Sequence, residues 1–206
     1  MAAARGPYKK GLAKRAEILD TALDVIEQNG YSNASVKELA DAVGLSQNGL
    51  LHYFGSKDRL FMEILRHRDE LLAARIGTVP HAVTDDFAGR VVTAADEVAN
   101  APGLLQLTLR LSIEASEEDH PAHDFFTRRY ENVREISAGA LEEMRSDGRI
   151  PASVDPAMTA TLIIAAMEGL QAQWSYDPSL DMAAHLTYLM QMLGVAETPV
   201  DVTPGS

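Results

Sequence analysis

Apolar residues recur along this chain at helical spacing almost throughout, and no segment keeps the period of two that a half-buried strand requires. Leu19, Ala22, Leu23 and Ile26 form one stripe of a helix predicted over 13–29, which Gly30 closes. Val36, Leu39, Ala40 and Val43 fall at i, i+3, i+4 and i+7, giving a second, shorter helix an apolar face. Gly44 supplies a turn, Leu45 packs the corner, and Leu50 and Phe54 bury the inner side of a third helix. Ser56 caps a longer helix that carries Leu60, Phe61, Ile64, Leu65 and Leu72. Five more helices are expected at about 85–100, 103–116, 121–147, 155–175 and 181–193. Each break between them has its own chemistry: Ala101-Pro102-Gly103, His120-Pro121, Gly148 to Pro151, and Asp177-Pro178-Ser179. Several of these helices are apolar on more than one side and must be sandwiched between neighbours. The fold class is therefore all-α, with about nine helices and no internal repeat.

Within 35–54 the polar positions carry a second message. Ser35 followed by Glu38 is a capping box, and Ser46 is placed to cap the helix after the turn. Two short helices crossing at a glycine turn are the form that lays a second helix in a DNA groove. With Leu50 and Phe54 turned inward, Gln47, Asn48 and His52 remain on the outward, N-terminal half of that helix. Glutamine and asparagine amides pair two-pronged with adenine edges, so Gln47 and Asn48 are the expected base contacts, with His52 beside them.

A formal net charge of −12 is the wrong sign for a DNA binder until its distribution is considered. Residues 1–60 hold eight Lys and Arg against seven Asp and Glu, whereas residues 61–206 hold ten against twenty-three. All five lysines, Lys9, Lys10, Lys14, Lys37 and Lys57, lie in the first 57 residues. The cations available to phosphate are thus confined to one end, and the acidic remainder keeps DNA from adhering elsewhere. Composition excludes other classes. An apolar fraction of 46% is too high for a disordered chain, and the absence of cysteine rules out disulfides, thiolate zinc sites and Cys nucleophiles. The basic N-terminus has no apolar run behind it, and the apolar stretch from Leu162 to Met167 stops at Glu168, far short of a membrane span. A cytoplasmic protein is expected.

The run from Arg15 to Leu65 resembles the DNA-binding domain of the tetracycline-repressor (TetR) family of bacterial regulators. The carrying pieces are AEILDTALDVIEQNGYSNASVKELADAVGLSQNGLLHYFGSKDRLFMEIL, with the Ala40 to Gly44 turn, the HYF run and the SKDRL entry into the next helix in the family's order. Further on, DGRIPASVDPAMTATLIIAAMEGLQAQWSYDP resembles a two-helix dimerisation region that often carries a DGLQxQW run, here beginning at Glu168. The resemblance implies a homodimer whose N-terminal heads bind a palindromic operator in double-stranded DNA, and whose larger domain encloses a small-molecule effector. It also implies phosphate contacts from Lys37, Ser46, Tyr53 and Lys57. Ser35 and Ser46 serve as caps, as phosphate contacts, or both. Two positions depart from the family's usual pattern: Leu51, where an aromatic is common, and Gly49, where Thr or Asn is frequent. Gly49 either lets the backbone approach DNA or is a tolerated weak spot costing roughly 0.5–1 kcal/mol relative to alanine.

The expected organisation is a basic flexible arm over 1–12, a helix-turn-helix domain over 13–55, a connecting helix over 56–76, an effector-binding and dimerisation domain over 77–194, and a flexible tail over 195–206. Candidate effector contacts are Leu107, Arg110, Leu111, Glu114, Phe126, Tyr130, Met167, Gln171 and Trp174. They would suit an apolar or amphipathic molecule, although each is also an ordinary core residue by spacing. Arg110 and Glu114, at i and i+4, are expected to pair. Met182, His185, Leu186, Leu189 and Leu193 form the expected dimer stripe. The acidic corner Glu117, Glu118, Asp119, His120, His123 and Asp124 has metal-ligand residue types, but such a run is more often a solvated corner. No metal, cofactor or catalytic residue is assigned. A ligand-controlled repressor is the leading expectation. An activator or architectural protein with the same head is the alternative, and a small-molecule-converting helical enzyme is a weaker one, since no catalytic order of residues supports it.

Overall fold

The computed structural model describes residues 6–31, 34–76 and 87–195, with side chains from Gly11 onward apart from 75 and 76. Among these residues the chain forms helices and no strand: α1 Gly6–Asn29, α2 Val36–Ala42, α3 Gln47–Phe54, α4 Lys57–Ile76, α5 Phe87–Ala99, α6 Pro102–Glu114, α7 His123–Ser146, α8 Pro156–Trp174 and α9 Met182–Met192. The all-α expectation holds, and most boundaries fall within two residues of the predicted ones. One does not. The first helix begins at Gly6 rather than 13, so the basic segment expected as an arm is largely helical. Pro7 is tolerated there because the first turn leaves its amide donors free in any case. Residues 1–5 of the expected arm, residues 77–86 at the start of the expected effector domain and nearly all of the tail over 195–206 lie outside the described residues.

The chain divides into two compact units. The first comprises 1–75 with 98–128, and the second 76–97 with 129–206, so the division runs through α5 and α7. By this division α6 clusters with the N-terminal helices.

In the first unit α1 packs against both α2 and α6, and α2 against α3. Ile18, Ile26, Leu39, Leu50, Leu60, Ile64, Leu65, Leu104, Leu105 and Leu107 are wholly buried. The approach of α6 to α1 is closest at Gly103. A Cβ built there would lie 2.2 Å from the Ile26 carbonyl oxygen and 2.9 Å from the Gly30 Cα. Only a residue without a side chain fits.

In the second unit α9 packs on α8. Asp155 caps α8, accepting from Met158 N at 2.9 Å, and Asp181 caps α9, accepting from Ala184 N at 2.8 Å. Leu141, Ala160, Ile163, Leu186 and Met190 form the core. Two members of the expected dimer stripe turn inward in the protomer. Met182 and Leu186 are 4% and 0% exposed within the single chain, so they are spent on the protomer's own core. His185 is exposed, and Leu189 and Leu193 are half-buried. The outward apolar residues of these helices are instead Met158 at 69%, Leu162 at 54%, Tyr188 at 62% and Met192 at 62% exposed.

Candidate nucleic-acid interface

Three local devices build the helix pair. The capping box forms at Ser35: its hydroxyl accepts from Glu38 N at 3.2 Å, and Glu38 Oε2 accepts from Ser35 N at 2.8 Å. Those hydrogen bonds to Ser35 hold the Glu38 carboxyl below its ordinary pKa, because they favour the charged form. Gly44, at φ 68°, makes the turn, and Leu45 N donates back to the Ala40 carbonyl at 2.9 Å. Ser46 then caps α3, accepting from Gly49 N at 3.0 Å. Gly49 stands close to that cap, since a Cβ there would lie 3.2 Å from Ser46 Oγ.

Leu50 and Phe54 are buried, which turns the opposite side of α3 outward. Gln47, Asn48 and His52 are exposed, Tyr53 and Leu51 are half-buried, and Gly55 at φ 88° ends the helix. Lys37 on α2 is exposed, as is Lys57, the first residue of α4. Ser56 caps α4 by accepting from Arg59 N at 3.2 Å. Lys57 thereby adds its charge to the positive end of a helix, where an anion is already favoured. The polar and cationic candidates Ser35, Lys37, Ser46, Gln47, Asn48, His52 and Lys57 all reach solvent.

Sequence reading missed the residue that ties this arrangement to α1. Arg15 Nη1 donates to the Tyr53 carbonyl at 3.1 Å, its Nη2 lies 3.0 Å from Glu63 Oε2, and its guanidinium stands 4.7 Å from the centre of the Phe54 ring. Glu63 is 7% exposed and also contacts Arg66. One arginine thus joins α1 to the end of α3 and to α4. The available signal was its spacing: Arg15 precedes Ile18 and Leu19 by three and four residues, on the buried stripe of α1.

The expected effector contacts divide between the two units. In the first, Leu107, Leu111 and Phe126 are buried, whereas Arg110 and Glu114 are exposed and pair at 2.9 Å. In the second, Gln171 is buried and Tyr130, Met167 and Trp174 are half-buried. Burial and a hydrogen bond to Glu168 push the Tyr130 phenol up to about 12. At the acidic corner the ring nitrogens meet backbone: His120 Nδ1 accepts from Ala122 N at 3.2 Å, and His123 Nδ1 lies 2.9 Å from the Ala115 carbonyl. No group of three His, Cys, Asp or Glu residues with metal-holding geometry occurs among the described residues. No described helix is long and apolar enough to cross a membrane.

Residues 18–64 match the family described as "Bacterial regulatory proteins, tetR family". The HTH-type transcriptional repressor Rv1474c of Mycobacterium tuberculosis is 29% identical over 133 residues, and the match covers 65% of each chain. The HTH-type transcriptional repressor AcnR of Corynebacterium jeikeium is 26% identical, with 76% of this chain and 79% of that one covered. Among solved structures, a TetR transcription regulator from Haloarcula marismortui superposes with a TM-score of 0.72 at 16% identity, covering 89% of this chain and 97% of that one. The regulator FadR from Bacillus subtilis, crystallised in complex with stearoyl-CoA, gives a TM-score of 0.66 at 17% identity, covering 88% and 99%.

Proposed function

We propose that this chain, whose residues 18–64 match the tetR family of bacterial regulatory proteins, is a cytoplasmic, ligand-responsive transcriptional repressor of that family rather than an enzyme. It acts as a homodimer on a palindromic operator and is released by a small molecule. The observation that carries this is the pairing of an exposed Gln47-Asn48-His52 surface on a capped helix with exposed cations at Lys37 and Lys57. Gln47 and Asn48 read base edges in the major groove, while Lys37, Ser46, Tyr53 and Lys57 hold phosphate. Ser35 and Gly49 act through the backbone: one starts α2, and the other supplies the amide that Ser46 caps.

Two heads require a dimer. The exposed apolar set Met158, Leu162, Tyr188 and Met192 supports a face formed by α8 and α9, joined by His185 and Leu189. The effector is apolar or amphipathic. The candidate contacts are largely apolar within each unit taken by itself, Leu107, Leu111 and Phe126 in the first and Tyr130, Met167, Gln171 and Trp174 in the second, which supports that class. The stearoyl-CoA bound by the Bacillus subtilis regulator is a molecule of the same character.

Selection of duplexes from a randomised pool tests this reading. The wild type should enrich a palindrome with half-sites about one helical turn, ~34–36 Å, apart. Gln47→Ala and Asn48→Ala should each relax preference at one position by about 1–3 kcal/mol. No enrichment at any ionic strength would defeat the reading.

A further inference from the structure

Lys57 does not stand alone at the head of α4. Its ammonium lies 5.6 Å from the centre of the Phe61 ring, one turn further along the same helix. Phe61 is buried and pairs edge to face with Tyr31 at 5.5 Å between centroids, with the rings at 73°. The guanidinium of Arg110 on α6 stands 5.9 Å from the centre of the Tyr31 ring. Arg110 is held in turn by Glu114, one turn on, through Nε to Oε1 at 2.9 Å. These contacts form one unbroken series, Glu114, Arg110, Tyr31, Phe61, Lys57, within the first unit.

The geometry points to Arg110 as a positioning residue for DNA binding: α6 sets, through Tyr31 and Phe61, how Lys57 is presented to phosphate. The inference rests on the proposed phosphate contact of Lys57. Each link has ordinary physics behind it. A cation within about 6 Å of a ring centre is drawn to its negative face, and aromatic rings meeting edge to face favour one another. The far end of the series is anchored as well. The start of α6 presses against the end of α1 at Gly103, so the seat of Arg110 relative to Tyr31 is fixed by backbone packing, not by the side chains alone. Tyr31 is half-buried, and burial raises its phenol above the ordinary value against the lowering effect of Arg110, which keeps the ring neutral beside its cation. Removing the Arg110 cation frees half-buried Tyr31 to shift against Phe61, the ring that faces the Lys57 ammonium.

The test is a double-mutant cycle on the full chain. Wild type, Lys57→Ala, Arg110→Gln, Arg110→Lys and the Lys57→Ala/Arg110→Gln double variant are titrated with two duplexes across a salt series. One duplex is selected by the wild type from a random pool, and the other has mixed sequence. Arg110→Gln is expected to weaken binding to both by about two- to five-fold, the size of an exposed cation–π contact, and Arg110→Lys to restore most of it. The effect of Arg110→Gln should vanish when Lys57 is already alanine. The salt slope of Arg110→Gln should move toward that of Lys57→Ala, which falls by about 0.9. An equal loss with and without Lys57 would overturn the inference, because Arg110 would then act only as a remote charge. An Arg110→Lys protein that melts like the wild type yet binds no better than Arg110→Gln would overturn it too. A Lys57→Ala protein with unchanged affinity and slope would instead refute the phosphate role of Lys57.

Discussion

Arg15 on α1 lies 3.0 Å from Glu63 on α4, and the same guanidinium holds the backbone at the end of α3 through the Tyr53 carbonyl. The helix α3 has only eight residues, too few to be stable by itself in water. Its orientation comes from buried Leu50 and Phe54 and from this one side chain reaching across from α1. Arg15→Ala should therefore leave the Tyr53 carbonyl and the Glu63 carboxylate each short of a donor. Because Arg66 still meets Glu63, the expected loss is modest, about 1–2 kcal/mol. Thermal melting followed by circular dichroism measures it. Affinity for a selected duplex should fall more than affinity for a mixed one, since α3 is misaligned rather than discharged.

Gly103→Ala should destabilise the first unit by about 2–3 kcal/mol, within the range for overpacking. The new methyl would sit 2.2 Å from a backbone oxygen that belongs to a helix and has little room to yield. A denaturant midpoint shifted downward at unchanged slope is the expected readout.

Leu162→Glu and Met192→Glu place charge on exposed apolar positions of α8 and α9. Each should leave the protomer folded but shift it from dimer to monomer in sedimentation equilibrium, with weaker operator binding. Leu186→Ala should behave oppositely. It should lower the melting temperature through a cavity costing about 2–4 kcal/mol, because that side chain is buried in the protomer's own core.

Tyr130 should be the late-titrating phenol in an alkaline absorbance titration. Its folded pKa is raised from 10.0 to about 12, so the neutral form is the one favoured by folding. The stability this contributes is fully present below 10.0 and is lost as pH rises toward about 12. Tyr130→Phe should remove the late step, and Glu168→Gln should bring it to lower pH. A Tyr130→Phe protein that keeps the full late amplitude would contradict the assignment.

The head was legible in the sequence because its signals are local. Ser35 with Glu38, Gly44, and Ser46 before an inward Leu50 and Phe54 all act across three or four residues, where spacing alone decides which side faces the core. The series from Lys57 to Arg110 was not legible beyond the Arg110–Glu114 pair at its end. Tyr31 and Arg110 are 79 positions apart, and nothing in the pattern of either helix says that they meet.

By itself the amino-acid sequence determined the helices, their caps and turns, the outward residues of α3 and the confinement of lysine to one end. Each of these depends on side chains and backbone groups within a turn or two of one another. Only the tertiary structure decided that Arg15 braces α3, that α6 joins the N-terminal helices, and that Met182 and Leu186 face inward while Tyr188 and Met192 face out. An apolar stripe records that a face will be covered, and what covers it is chosen by segments distant in the chain.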